Sequence, residues 1–102
     1  MRDDVDPAGV SQAAGSVRLV HAVGMHARPA VKLTKLAKRF RADISVRAAG
    51  GAWIDAKSVS RVMALRAVYD SILEFEARGA DADAAVAALV DLVARDFPDI
   101  GA

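Results

Sequence analysis

Pro29 constrains the fold of this chain more than any other residue, because an α-helix accepts proline only in its first turn. The segment before it, residues 17–23, is rich in β-branched side chains and is typical of a strand. The apolar residues after it recur at helical spacing: Ala30, Leu33, Ala37 and Phe40. The sequence therefore predicts a strand over residues 17–23, a tight turn at Gly24 and a helix over residues 27–39.

Three more strands are expected after this helix. Residues 42–48 and 52–56 form two short strand candidates, which a hairpin turn at Gly50-Gly51 would join. Residues 70–77 alternate between apolar and polar side chains, as expected for a strand with one buried face. The four predicted strands are enough to form one sheet.

Two further helices complete the predicted fold. Ser58 is a favourable N-cap for a short helix, and Asp81 or Asp83 can cap the last helix, which Pro98 ends. The last helix has an apolar stripe made of Ala85, Val86, Leu89, Leu92, Val93 and Phe97. The resulting order βαββαβα predicts an α+β fold, an open-faced β-sandwich with a four-stranded antiparallel sheet and three helices on one face.

The length of 102 residues and a hydrophobic share of 54% suit one small domain with one core. We assign residues 1–15 to a flexible polar extension and residues 16–102 to this domain. Cysteine is absent, and the sequence shows neither a membrane-spanning apolar run nor a secretion signal. We expect a monomeric cytoplasmic protein without a cofactor or membrane contact.

His21 is interpreted as an ordinary strand residue, and without a second ligand nearby it indicates no metal site.

His26 lies at the expected beginning of the first helix, where unpaired backbone N–H groups and the helix dipole stabilise an anion. Arg28 adds a forked cation beside it. Both features disfavour a charged imidazolium, so we expect the neutral, nucleophilic ring to prevail at pH 7. A phosphoryl group on that ring would meet the N–H groups of Ala27 and Arg28 and the guanidinium group. A histidine that only caps a surface helix remains the alternative at this point.

Basic residues are concentrated between Arg18 and Arg66, although the net charge of the whole chain is only +1. Lys35 and Lys38 of the first helix are therefore expected to attract an acidic partner protein, with a merely solvated helix face as the alternative. The basic stretch has no interleaved aromatic platform, since Phe40 and Trp53 are its only aromatic residues. Nucleic acid is consequently the least favoured partner.

Three apolar residues are expected to form a docking patch close to His26. They are Met25, Val59 and Met63. Flexible methionine side chains adapt to several partner surfaces, which suits a protein with more than one partner. Core filling is the alternative interpretation of both methionines.

Two segments of the chain stand out together. The first is the string His26-Ala27-Arg28-Pro29-Ala30, and the second covers residues 55–65, where Lys57-Ser58 precedes Met63 and Leu65. These segments resemble, in the same order and at the same distance, the active-site signature and the regulatory-serine segment of the histidine-containing phosphocarrier (HPr) family of bacterial phosphotransferase systems. The resemblance extends over about residues 16–97. It implies the same open-faced sandwich that the pattern of elements predicts.

The resemblance also implies a reaction. Enzyme I, charged from phosphoenolpyruvate, would phosphorylate His26, and the protein would pass the phosphoryl group to a histidine of an enzyme IIA domain. Arg28 and the backbone N–H group of Ala27 would stabilise the phosphoryl group. The protein would be a covalent relay intermediate rather than a self-standing catalyst. Val23, directly before Gly24, resembles the nitrogen-related branch of the family more than the sugar-transport carriers, but both branches stay open.

A second function remains possible from the sequence. The resemblance implies that the family's HPr kinase/phosphorylase can phosphorylate Ser58, although this serine is equally explained as a helix cap. In that case the chain would be a regulatory binding module for catabolite or nitrogen control, with little role in transport. A phosphate at a helix N-terminus would change partner choice through charge rather than unfold the domain.

Overall fold

The computed structural model describes residues 11–99, which form one four-stranded antiparallel sheet and three helices. In chain order the elements are β1 (Gln12–Arg18), α1 (Ala27–Ala37), β2 (Asp43–Ala48), β3 (Ile54–Asp55), α2 (Val59–Ala64), β4 (Ile72–Arg78) and α3 (Ala82–Ala94). The predicted order βαββαβα and the open-faced sandwich are confirmed. None of the helices in this part of the chain is long and apolar enough to cross a bilayer.

The sheet has the order β1-β4-β2-β3, so the strand nearest the C-terminus pairs with both β1 and β2. Side chains along β4 alternate as the sequence predicts: Leu73 and Phe75 are fully buried under the helices. Glu74 faces the open side, where its carboxylate accepts a 2.6 Å hydrogen bond from Arg47 Nε on β2. Because one face of the sheet carries the core and the other carries ion pairs, the register of β4 is strongly specified.

The core lies between the sheet and the helices. Its largest fully buried apolar side chains come from every layer of the fold: Phe75, Leu19, Leu33, Leu73, Leu89, Val46, Val62 and Val93. Helix α3 packs on β1 and β4, and α1 packs against both α2 and α3. Burial of these side chains supplies the main favourable free energy of folding and fixes where α1 begins relative to the sheet.

The first strand is placed wrongly by the sequence pattern. It runs over Gln12–Arg18 rather than over residues 17–23, and so takes up residues 12–15, which we assigned to the flexible extension. This segment holds mainly small or polar residues, and it becomes a strand because the exposed edge of β4 pairs with it from Gln12 to Arg18. Ser11, the next residue of the predicted extension, accepts the Gly79 N–H group at 2.9 Å, and residues 1–10 lie outside the described residues.

Residues 19–23 instead form a loop that runs from β1 to α1. The Leu19 N–H group donates to the Ser71 carbonyl at 2.8 Å, and the Asp70 N–H group donates to the Leu19 carbonyl at 2.7 Å. Leu19 is fully buried. The loop is thus anchored at its first residue. Its valine residues have a high strand propensity, which is why the sequence pattern predicts a strand, but they have no neighbouring strand to pair with.

The carboxylate of Asp81 ties two loops together rather than capping α3. Asp81 is the N-cap residue of α3, as predicted, but its side chain makes no cap hydrogen bond. It accepts hydrogen bonds from the N–H groups of Arg41 at 2.9 Å and Ala42 at 2.8 Å. The pKa of the Asp81 carboxyl is lowered, chiefly by the bond from the Arg41 N–H group and further by the one from Ala42.

The variant Asp81→Ala is expected to lower the urea midpoint at pH 7, because the Arg41 and Ala42 N–H groups lose their acceptors. A carboxyl whose pKa is lower in the folded protein stabilises it above the ordinary aspartate pKa of about 3.9, and this contribution is lost as the pH falls through the folded value. The difference from wild type should therefore shrink at about pH 3 and below. Asp83→Ala, in the first turn of the same helix, is the matched control and should change the midpoint little. Equal midpoints for the two variants at pH 7 would contradict this account.

Candidate functional site

His26 is the N-cap residue of α1, as the sequence predicts. Its backbone is extended, with φ −131° and ψ −165°, and its carbonyl accepts the N–H group of Ala30 at 2.9 Å. The imidazole makes no cap hydrogen bond to the helix and is exposed to solvent. Pro29 is buried in the first turn, where its missing N–H group costs no hydrogen bond. The ring therefore lies at the positive end of α1 without a hydrogen bond to the helix.

The backbone N–H groups of Ala27 and Arg28 are available for an anion. Within residues 11–99 neither has an acceptor, as expected in the first turn of a helix. The Arg28 side chain is exposed. A shallow depression along α1 is lined by Ala27, Arg28, Val31, Lys32, Lys35 and Asp99. Two unpaired amides, the helix dipole and the exposed Arg28 thus lie at the end of α1 that His26 caps, an arrangement suited to binding phosphate.

Gly24 and Met25 hold the site loop against the segment that precedes β4. The Gly24 N–H group donates to the His21 carbonyl at 2.9 Å, and the Met25 N–H group donates to the Ala67 carbonyl at 2.8 Å. Gly24 has φ +75°, and a Cβ atom there would lie 2.6 Å from the Ala67 carbonyl oxygen. Only glycine fits this close approach.

Met25 is not part of a docking surface, contrary to our prediction. Its side chain is only 6% exposed and belongs to the core. An apolar residue directly before an N-cap commonly packs against the helix that it precedes, and Met25 is in this position. Its role is therefore to hold His26 in place rather than to contact a partner.

His21 is the site residue that sequence reasoning missed. It lies in the loop and not in a strand, and its Nε2 atom is 3.1 Å from the Nε2 atom of His26. Its Nδ1 atom is 2.7 Å from Oδ1 of Asp96. Its ring meets the edge of the Phe97 ring at a centroid distance of 6.0 Å. The only signal in the sequence was a second histidine on the other side of the turn at Gly24, since a tight turn brings flanking side chains together.

Asp96 reaches His21 because of the way in which α3 ends. The N–H groups of Asp96 and Phe97 donate to the carbonyls of Val93 and Leu92, at 3.1 and 2.8 Å. These bonds form a Schellman motif, with Asp96 at φ +60° in the left-handed position that usually holds glycine. The prediction that the helix ends before Pro98 is confirmed, but Phe97 lies beyond the helix rather than in its stripe.

The end of the chain is also tied to α1. Lys32 Nζ donates to the Phe97 carbonyl at 2.8 Å and pairs with Asp99 Oδ1 at 2.9 Å. The pKa of the Asp99 carboxyl is lowered, chiefly by the hydrogen bond from Lys32, with a further contribution from the charge of Arg28. Among the described residues no group of three histidine, aspartate or glutamate side chains is arranged for a metal ion.

The other predicted contact residues lie on α1 and α2, which pack against each other. Met63 is 40% exposed and Val59 is half-buried. Lys35 is exposed and lines the same depression as Arg28. Lys38 is exposed at the C-cap of α1, about 18 Å along the helix axis from His26.

Ser58 is the N-cap residue of α2, as predicted. Its hydroxyl oxygen accepts a 3.3 Å hydrogen bond from the Arg61 N–H group. The hydroxyl of Ser60 lies 3.2 Å away. Ser58 is half-buried, so part of it is open to solvent.

The geometry agrees with the comparison to known families. The family described as "PTS HPr component phosphorylation site" matches residues 14–95. This chain belongs to the PTS HPr family. The resemblance inferred from the two sequence segments is thereby confirmed.

Relatives of both branches support the assignment to the HPr family. The phosphocarrier protein HPr of Cupriavidus necator is 37% identical over 79 residues, which cover 78% of this chain and 88% of that protein. The phosphocarrier protein NPr of Escherichia coli K12 is 33% identical over 84 residues, covering 82% of this chain and 93% of that protein. The crystal structure of HPr-C-His from Thermoanaerobacter tengcongensis has a TM-score of 0.79 and 28% identity, and covers 87% of this chain and 99% of that one.

Proposed function

We propose that this protein is a phosphocarrier of a phosphoenolpyruvate-dependent phosphotransferase system. It accepts a phosphoryl group on His26 from enzyme I and passes it to a histidine of an enzyme IIA domain. The observation that carries the proposal is the position of the His26 ring at the N-cap of α1, beside the unpaired N–H groups of Ala27 and Arg28. Membership of the PTS HPr family supports the same conclusion.

The site is suited to holding a phosphoryl group briefly. A dianion on the ring gains hydrogen bonds from the Ala27 and Arg28 N–H groups and from the Arg28 guanidinium. The ring is exposed, so the same group stays accessible to an acceptor. In-line phosphoryl transfer needs positioning and charge neutralisation more than acid–base groups, and these residues supply both.

A partly charged surface that extends from the site along α1 and α2 fits successive encounters with two partners. Val59 and Met63 on α2 supply apolar contacts, and Lys35 and Lys38 on α1 supply positive charge for acidic partner surfaces. Such surfaces bind quickly and release quickly, which a relay requires. The protein acts as a monomer in the cytoplasm, where phosphoenolpyruvate is available.

Incubation with enzyme I, phosphoenolpyruvate and Mg²⁺ tests the relay directly. Intact mass spectrometry at neutral pH should show one added phosphoryl group, and brief acid treatment should remove it, because a phosphorus–nitrogen bond is labile in acid. Addition of an enzyme IIA domain should return the mass to its starting value. A protein that gains no mass, or gains an acid-stable phosphate only, would rule out the proposed carrier function.

A regulatory role of Ser58 is a second candidate. The observation that favours it is a half-buried hydroxyl beside the contact residue Val59, so that a phosphate there would repel an acidic partner. Incubation with an HPr kinase/phosphorylase and ATP should then add an acid-stable phosphate to the wild type but not to Ser58→Ala, and the modified wild type should accept the phosphoryl group from enzyme I more slowly. Equal phosphorylation of both proteins by the kinase would contradict this role.

Removal of the cap should cost Ser58→Ala about 1 kcal/mol of stability.

A further inference from the structure

We propose that His21, held by Asp96, is a positioning residue that fixes the tautomer of His26. In this arrangement His26 carries its proton on Nε2 and presents the lone pair of Nδ1 to the incoming phosphoryl group. The inference rests on the proposed function of His26 as the acceptor. It is carried by the chain of contacts Asp96 Oδ1 to His21 Nδ1 at 2.7 Å and His21 Nε2 to His26 Nε2 at 3.1 Å.

The carboxylate of Asp96 determines the tautomer of His21. An ionised carboxylate only accepts hydrogen bonds, so the Nδ1 atom of His21 at 2.7 Å must carry a hydrogen. A neutral imidazole has one N–H group, and its other nitrogen is an acceptor. Nε2 of neutral His21 therefore points a lone pair at His26.

The tautomer of His21 in turn determines that of His26. Two facing nitrogen atoms 3.1 Å apart form a hydrogen bond only when one of them carries the proton. Because Nε2 of His21 is the acceptor, Nε2 of His26 is the donor. Nδ1 of His26 is then unprotonated, and within the described part of the chain it has no hydrogen-bond partner.

This chain of tautomers applies to the neutral form of His21. A protonated His21 would donate to Nε2 of His26 instead. It would then leave the only proton of neutral His26 on Nδ1, which would block attack by that atom.

The contact between Asp96 and His21 is held in place from several sides. Asp96 is fixed at φ +60° and Phe97 at φ +55°, conformations that the Schellman hydrogen bonds at the end of α3 impose. Phe97 is buried to 4% exposure, its ring edge meets His21, and its carbonyl accepts from Lys32. The backbone strain at two consecutive residues is stabilised by these contacts, which present the carboxylate to the ring.

The transfer step balances without a proton leaving the site. The lone pair of His26 Nδ1 forms the new nitrogen–phosphorus bond, while the bond from phosphorus to the donor breaks and its electron pair stays with the donor. The proton on Nε2 remains hydrogen-bonded to His21 throughout. Since no N–H bond at Nδ1 has to break first, the fixed tautomer keeps the nucleophile ready at every encounter.

The tautomers can be measured on the full chain without any phosphoryl donor. Long-range ¹H–¹⁵N correlation spectra of the ¹⁵N-labelled protein distinguish a protonated Nδ1 from a protonated Nε2 in each ring. In the wild type we expect His21 to be protonated on Nδ1 and His26 on Nε2. A wild-type His26 that is protonated on Nδ1 would overturn the inference, whether or not the protein accepts a phosphoryl group.

Two variants at the same position test the contact. His21→Phe keeps an aromatic ring against Phe97 but removes the acceptor, whereas His21→Gln restores an acceptor oxygen. In His21→Phe we expect a measurable fraction of His26 with a protonated Nδ1, and phosphorylation by enzyme I with an unchanged KM and a kcat lowered in proportion to that fraction, about 2-fold for an even mixture. His21→Gln should recover most of the kcat. Identical tautomers and kcat in wild type and His21→Phe would overturn the inference, and so would an equal loss in both folded variants.

The same experiments separate this inference from the proposed function. If wild type gains no phosphoryl group from enzyme I, the carrier function fails, while the tautomer spectra still report on the contact between His21 and His26. If wild type is phosphorylated on Nε2 of His26, the carrier function stands and the positioning role of His21 fails. Phosphorylation on Nδ1 in wild type, with a mixture of both isomers in His21→Phe, supports the two together.

Discussion

The variant His26→Ala is expected to gain no phosphoryl group from enzyme I and phosphoenolpyruvate. The methyl group of alanine has no lone pair to form the bond to phosphorus, and within residues 11–99 the only other histidine, His21, has one ring nitrogen held by Asp96. The His26 side chain is exposed and makes no cap hydrogen bond, so the fold should remain intact. Intact mass spectrometry of the reaction mixture should therefore show a complete loss rather than a partial one.

The matched control for this variant is Ser58→Ala. It removes the polar side chain from the N-cap of the neighbouring helix α2, whereas His26→Ala removes the imidazole from the N-cap of α1. This control should gain one acid-labile phosphoryl group, like the wild type. An acid-labile mass increase in His26→Ala at the wild-type level would show that another residue is the acceptor.

The variant Gly24→Ala is expected to lose about 2–5 kcal/mol of stability, through left-handed backbone strain and a steric clash. The added Cβ atom would lie 2.6 Å from the Ala67 carbonyl oxygen and 3.1 Å from the Cα atom of Val68. Both are backbone atoms, which cannot rotate away as a side chain would. Relief of the clash requires the loop to move, and this loop carries His21 and leads into His26.

Gly50→Ala is the control that separates backbone strain from the clash. Gly50 has φ +85°, close to the +75° of Gly24, but a Cβ atom there meets nothing within 4 Å. Its variant should lose only about 1–2 kcal/mol, the strain of the left-handed conformation. Urea denaturation of both variants measures the difference. Equal losses would mean that the clash with residues 67 and 68 does not contribute to the instability of Gly24→Ala.

Local patterns predicted most elements of the fold because each one carries its signal in adjacent residues. Pro29 and the apolar spacing after it placed α1, and the alternation around Phe75 placed β4 with its buried face. Ser58 marked the beginning of α2. These signals are properties of the backbone and of periodic burial, so they can be recognised without knowing what the element packs against.

Signals that depend on a distant partner were not visible in the same way. Gln12–Arg18 has a weak strand pattern and became β1 because β4 offered an unpaired edge. Met25 was expected on the surface, yet the loop bond to Ala67 turns it into the core. Asp81 was expected to cap α3, but its carboxylate accepts hydrogen bonds from the backbone N–H groups of Arg41 and Ala42.

The sequence by itself predicted the order of the elements, from patterns along the whole chain, and the beginning of α1 at His26, from residues 24–30 alone. It also singled out His26 as the proposed acceptor. Only the tertiary structure decided how that histidine is held. Asp96 and His21 are separated by 75 positions in the chain, and they meet because α3 packs beside α1 and ends in a left-handed turn. A hydrogen bond depends on distance and direction in space, and no local pattern along the chain records either for residues so far apart.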